Sequence, residues 1–244
     1  MARSGGRREK FAFSPELCYS YYRDIRRGLT MIVSDLMRKK VIYVHPETSV
    51  TDARALMARE NVNKLPVLDR DGRLAGIVTK NDLVKASPSA ATTLDVYELS
   101  YLLSKLNVEK VMVKNVVTVD HNEVIEEAAR VMADRKIGCL PVMNGDLLVG
   151  IITESDLFHA FIEIFGARHH GVRFMCEASE KPGELAKMSQ SIAELGGNIV
   201  SVVTSEGGDV SKRRVTCKVT QVSADQIRAM LRNLGIALVS IREV

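Results

Sequence analysis

GIVTKND, residues 76–82, reads as the end of an apolar strand turning directly into a helix, and GIITESD, residues 150–156, repeats it. The copy extends outward from both. VSDLMRKKVIYVHPETSVTDARALMARENVNKLPVLDRDGRLAGIVTKNDL is answered by VEKVMVKNVVTVDHNEVIEEAARVMADRKIGCLPVMNGDLLVGIITESDL. Met37 corresponds to Met112 and Pro66 to Pro141, each 75 residues on, whereas Gly76 corresponds to Gly150 and Asp82 to Asp156, each 74 on. The missing residue falls between proline and glycine, where DRDG faces NGD, and a hairpin tip accommodates such a change.

Each repeat is therefore predicted to run short strand, helix, strand, tight turn, strand, helix. Helical spacing of apolar residues appears at Val50, Ala53 and Met57, and again at Val124, Ala128, Val131 and Met132. KLPVL and LAGIV are short and largely apolar, as strands covered by helices must be. One repeat alone buries little core, so the two are expected to pack together. Between them ASPSAATTL reads as a loop, and Val96, Leu99, Leu103 and Leu106 mark a connecting helix.

From Gly171 the pattern changes. Val172, Phe174, Cys176 and Ala178 alternate inward along a strand. Pro182 stands near a helix start, followed by Leu185, Met188, Ile192 and Leu195, and glycines stop it. Two strands follow, NIVSVVTSE and RRVTCKVTQ. Ser223 and Gln226 form a capping box for a helix through Ile227, Met230, Leu231 and Leu234, and IALVSIREV closes as a strand. The order βαββαβ is the ferredoxin-like arrangement, which makes the whole chain an α+β protein. The expected divisions are a basic leader over 1–30, repeats over 31–86 and 108–165, a linker with its connecting helix over 87–107, and the last domain over 171–244.

Charge excludes one class of partner. The formal net charge is +4, but residues 1–30 hold seven Lys/Arg against three acidic residues, leaving 27 of each for 31–244. A nucleic-acid binder would carry its basic excess in the folded part. No apolar run reaches the roughly 18 residues of a membrane span, so a cytoplasmic protein is expected. Met31 directly precedes the first repeat, just after RRG, whose codons can spell a ribosome-binding sequence. Residues 1–30 are accordingly expected to stem from a misassigned start, with a genuine disordered basic tail as the alternative.

The four cysteines, Cys18, Cys139, Cys176 and Cys217, have no zinc spacing and read as reduced thiols. His45 and His121 occupy matching positions and read as surface-turn residues, with a phosphate contact as the alternative. No P-loop, G-x-G-x-x-G, H-E-x-x-H or G-x-S-x-G is present, and no acid–base pair stands out, so catalysis, a metal and a catalytic cofactor are not expected.

Thr79 with Asp82, and Thr153 with Asp156, support two readings. As T-x-x-D they are capping boxes that satisfy first-turn amides. They also suit a sugar phosphate, because a helix start presents N–H groups to phosphate and a carboxylate accepts from two adjacent hydroxyls. The apolar segments around Pro66 and Pro141 would wall a purine.

The paired repeats, each with L-P-V and then G-[IV]-[IV]-T-x-x-D, resemble a tandem CBS domain pair (a Bateman module) over roughly residues 31–164. That resemblance implies adenosine ligands such as AMP, ADP, ATP or S-adenosylmethionine in clefts between repeats. Thr79, Asp82, Thr153 and Asp156 are then its ribose–phosphate contacts. The tail, with EKPGELAKMSQSIAELGGNIVSV, resembles an ACT domain, which implies amino-acid binding near Gly196, Gly197 and Asn198. The combination resembles stand-alone bacterial CBS–ACT proteins of the acetoin-utilisation B type. It implies an allosteric, homodimeric or larger metabolite sensor acting on a separate enzyme or transporter. A ligand-free assembly or scaffold protein is the alternative. IMP dehydrogenases also carry a CBS pair, but the catalytic barrel of over 200 residues has no counterpart here.

Overall fold

In the computed structural model, which describes residues 31–86, 105–208 and 210–244, each repeat closes a small sheet over its own helices. Residues 1–30, with Cys18, and the proposed connecting-helix positions Val96, Leu99 and Leu103 lie outside the described residues. Contacts divide the chain into two units between Glu154 and Ser155.

In the first unit, α1 (Val33–Leu36) precedes α2 (Val50–Arg59), β1 (Lys64–Leu68), β2 (Leu74–Thr79) and α3 (Lys80–Lys85). A 3-10 turn at Val108–Lys110 opens the second repeat, followed by β3 (Val119–Asp120), α4 (Ile125–Arg135), β4 (Cys139–Asn144) and β5 (Leu147–Thr153). α2 starts where Ser49 Oγ accepts from Asp52 N at 3.0 Å. It ends at Asn61, which takes φ 51° and lets Val62 N reach back to Met57 O at 2.9 Å. Val50, Ala53 and Met57 enter a core with Leu65, Val67, Val78 and Leu83. In α4 the inward positions are Ile125, Ala128 and Met132, while Val124 is the N-cap and 45% exposed. The expected helical face was therefore one residue out at its start. Ile125, 75 after Val50, fills the matching core position.

Proline in a central strand would forfeit a ladder bond. Both repeats avoid this in the same way. Pro66 pairs with Ile77 and Pro141 with Ile151. Ile77 turns both backbone groups outward to Val113 (3.0 and 2.9 Å), and Ile151 does so to Arg38 (3.2 and 2.9 Å). No bond across the hairpin is asked of either proline.

Those outward bonds cross between repeats. The leading segment of repeat 1 docks on repeat 2: Val33 N donates to Glu123 O (2.8 Å), Ser34 N to His121 O (2.9 Å), and Ile125 N donates to Met31 O (3.1 Å). Reciprocally, Val50 N donates to Leu106 O, and Val108 N to Thr48 O, each at 2.8 Å. A Cβ at Gly150 would overlap Met37 Sδ, and one at Gly76 would overlap Met112 Sδ. The glycine of each motif is thus a seat for the other repeat's methionine. Gly150→Ala is expected to cost about 1–3 kcal/mol in urea unfolding, and adding Met37→Ala should return part of that loss. Equal losses with and without the methionine would contradict the seat.

The second unit begins within α5 (Glu154–Ile164), then runs β6 (Val172–Ser179), α6 (Glu184–Glu194), β7 (Asn198–Glu206), β8 (Lys212–Thr220), α7 (Ala224–Asn233) and β9 (Ala237–Glu243). The antiparallel sheet has order β7-β8-β6-β9, the ferredoxin-like order expected from βαββαβ. Val172, Phe174, Cys176 and Ala178 face a core with Met188, Ile192, Ile227, Met230 and Leu231. Leu185 departs from the expected face and is 42% exposed; the helix starts only at Glu184, and Leu185 lies in its first turn, about 60° round from Met188. α7 is capped as read, Ser223 N donating to Gln226 Oε1 at 2.8 Å.

Cys139, Cys176 and Cys217 are free and buried. Burial pushes the Cys176 thiol up to about 11 and Cys217 up to about 12, the latter raised further by Cys176 beside it. The thiolate is the reactive form. Iodoacetamide at pH 8 should therefore leave both unmodified until the protein unfolds, and rapid labelling of the native protein by peptide mass mapping would contradict this.

Candidate functional site

The first motif sits at the β2–α3 corner. Thr79 N and Thr79 Oγ1 both donate to Asp82 Oδ2, at 2.8 and 2.7 Å, and Asp82 N donates back to Thr79 Oγ1 at 3.3 Å. This is a full capping box. It engages one carboxylate oxygen only; among the described residues none donates to Asp82 Oδ1. Two of the first three amides of α3 are also taken, Lys80 N by Asn63 O at 2.8 Å and Asp82 N by the threonine. The helix start thus offers less to an anion than the sequence suggests.

Side chains supply what the amides do not. Thr79 and Asp82 line a cavity of about 800 Å³ between the repeats, within the size range of ligand pockets. Lys64, Lys80, Lys85 and Lys136 line it against Asp82 and Glu154, so among the described residues its walls carry an excess of two positive charges. Lys64 Nζ donates to Gly138 O, tying the start of β1 to the approach of β4. Lys136 is held at φ 53°, a left-handed position uncommon for a lysine, so α4 ends with its side chain on the cavity wall. Ile77, Val116, Val117, Ile137 and Pro141 add apolar surface to the walls of the cavity. Cys139 also lines it, and burial raises its thiol above the ordinary value against the pull of Lys64.

The remaining expected residues are placed differently. Pro66 is buried in β1 and is not among the cavity's lining. Thr153 and Asp156 do not line it either; Asp156 is 2% exposed, whereas Asp82 is half-buried. His45 Nδ1 bonds Leu68 O at 2.9 Å and His121 Nδ1 contacts Asp120 at 3.2 Å, both in turns. Gly196 takes φ 75°, with Gly196 N to Ala193 O and Gly197 N to Ile192 O both at 2.9 Å, a Schellman ending of α6. A Cβ on Gly197 would strike Val222 and Ile192, and Asn198 is exposed. Helix termination accounts for both glycines. Among the described residues no three His, Cys, Asp or Glu side chains cluster as a metal site, and no helix is long and apolar enough to cross a membrane.

Comparison with known proteins agrees with this architecture. Residues 33–89 and 108–163 match the CBS domain model, and residues 170–242 match that of the TTHA0829-like ACT domain. A CBS domain-containing protein of Dictyostelium discoideum is 30% identical over 137 residues, covering 56% of this chain and 94% of that one. The chain is a CBS domain-containing protein. Its CBS pair is followed by an ACT-like domain. It is also 29% identical to L-aspartate semialdehyde sulfurtransferase of Methanocaldococcus jannaschii over 53% of this chain, but spans only 23% of that enzyme. Among solved structures, the CBS domain pair of protein MJ0100, in complex with 5′-methylthioadenosine and S-adenosyl-L-methionine, has 28% identity and a TM-score of 0.46, covering 57% of this chain and 98% of that one.

Within the CBS pair, sequence reasoning did not reach Lys64, Lys136, Gly138 or Val116 as cavity residues. Part of the signal was present: Lys64 and Cys139 are 75 apart, two residues before the matched prolines, so an exchange-symmetric pairing brings both to the centre.

Proposed function

We propose that this protein is a regulatory metabolite sensor, without catalytic activity of its own, that binds an adenosine nucleotide in the cavity at Thr79 and Asp82. AMP, ADP, ATP and S-adenosylmethionine are the candidate ligands. The observation that carries the reading is the convergence on one cavity of a half-buried carboxylate with a spare oxygen, four lysines and an apolar wall. Asp82 Oδ1 accepts from the ribose diol, the lysines take the phosphate or other polar end, and Pro141 with Val116 and Val117 covers the base. Asp156 is buried, so the second motif serves the fold and the first is the ligand site. The protein is of the acetoin-utilisation B type and forms a homodimer or larger assembly. Its output passes to a separate enzyme or transporter through a coupling of about 1–3 kcal/mol.

The complete capping box at Thr79 and Asp82 favours a second reading, a ligand-free assembly or scaffold protein in which the motifs only finish helices. An amino acid at Gly196, Gly197 and Asn198 belongs to the same comparison, and its loss in Asn198→Ala would be its mark. A thermal-shift panel of the four nucleotides separates sensor from scaffold. Ligand at 100 times its Kd should stabilise by about 2.7 kcal/mol. No shift with any member at millimolar concentration would leave the scaffold reading standing.

A further inference from the structure

The second unit lines up three cations in one row across its sheet. Arg242 of β9 stands opposite Arg173 of β6, Arg173 opposite Lys218 of β8, and Lys218 opposite Ser201 of β7. The row occupies the face away from α6 and α7, since Val172, Phe174, Cys217 and Val219 supply the face those helices cover. Like charges set directly opposite one another destabilise a sheet. Among the described residues none of the three forms an ion pair; the neighbouring Arg213 and Arg214 are bonded to Glu180 and Glu177 instead.

Lys218 is the decisive member. It is 5% exposed, and its Nζ donates to Gly166 O at 2.8 Å. An ammonium has three N–H groups, so among the described residues two are left without a protein acceptor, a costly state for a buried charge. Lys218 lines a cavity of about 440 Å³ with Arg173 and Thr216, and Phe165, Val203 and Val244 complete it with apolar surface. Among the described residues no Asp or Glu side chain lines this cavity, and the α-carboxylate of the terminal Val244 makes no ion pair with Arg173, Lys218 or Arg242.

We propose that this cavity binds a small carboxylate that bears no ammonium group, a 2-oxo or 2-hydroxy acid of a few carbons. Arg173 and Lys218 hold the carboxylate through charge-assisted hydrogen bonds, and the Thr216 hydroxyl meets the adjacent oxygen. The short carbon chain lies against Phe165, Val203 and Val244. An amino acid would set its ammonium among cations with no acidic side chain to receive it. Inorganic phosphate matches the charge but leaves the apolar wall uncovered. The site lies wholly in the second unit and does not depend on the nucleotide reading.

The test uses the full-length protein and calorimetry with pyruvate, 2-oxobutyrate and lactate. Alanine and 2-aminobutyrate are the shape-matched amino acids, and inorganic phosphate is the simple anion. At least one of the three carboxylates should bind about tenfold or more tighter than its amino counterpart and than phosphate. Lys218→Met should lose that binding by about tenfold or more, with a Tm equal to or above that of the parent, since it removes a buried charge. Arg173→Leu should lose the same binding, and serves if Lys218→Met does not fold. No binding by any carboxylate, equal or tighter binding of an amino acid or phosphate, or an unchanged affinity in the variants would overturn the proposal.

Discussion

Asp82→Asn should weaken adenosine-nucleotide binding by about 10- to 100-fold while leaving the fold in place. A hydrogen bond to a charged acceptor contributes about 1.5–3 kcal/mol, and each 1.4 kcal/mol is a factor of ten in Kd. The fold should survive because the amide oxygen of asparagine can still accept from Thr79 N, which holds Asp82 Oδ2 at 2.8 Å. What it cannot do is take a ribose diol with the strength of a carboxylate. Asp156→Asn is the matched control. Asp156 is 2% exposed, so its substitution should lower stability by about 1–3 kcal/mol and leave nucleotide affinity within about twofold. Isothermal titration on both variants checks the pair. Loss of affinity in Asp156→Asn alone would move the ligand to the second motif.

Leu36→Ala should destabilise the first unit by about 2–5 kcal/mol, as deletion of a fully buried leucine side chain does. Leu36 is 2% exposed, and its helix Val33–Leu36 packs on the strand Leu147–Thr153 of the other repeat. The location of the damage is the more discriminating result. Hydrogen exchange should quicken at Ile125 and Ile151, whose amides bond Met31 and Arg38, before it quickens at the repeat-1 hairpin. A loss of protection confined to residues 50–86 would mean that the leading segment stabilises its own repeat, contrary to the exchange observed.

Local pattern made much of the architecture legible. The capping boxes at Thr79 and Ser223 and the alternation from Val172 to Ala178 each report on neighbours a few residues away, and the 75-residue offset between the prolines marks one such local pattern as copied. The exchange of leading segments was not legible in this way. Its bonds join residues about 35 to 115 apart, such as Ile77 with Val113 and Arg38 with Ile151, and nothing in strand or helix periodicity distinguishes a segment lying on its own repeat from one lying on its copy. The site was legible in its chemistry and not in its completeness. T-x-x-D pointed to Thr79 and Asp82, but the lysines around them come from three elements: Lys80 and Lys85 from α3, Lys64 from the start of β1 and Lys136 from the end of α4. The difference between Asp82 and Asp156 is one of burial, which an identical motif conceals. The second-unit cations were hidden because Arg173, Lys218 and Arg242 are separated in sequence and meet only through strand register.

A crystal structure of the full-length protein grown with saturating AMP, ATP or S-adenosylmethionine tests the ligand site most directly. Ribose density is expected within hydrogen-bond distance of Asp82 Oδ1, with the base against Pro141 and Val117 and the phosphate or methionine end toward the lysines. Density beside Asp156 with the Thr79–Asp82 cavity empty, or no nucleotide in either place, would contradict it.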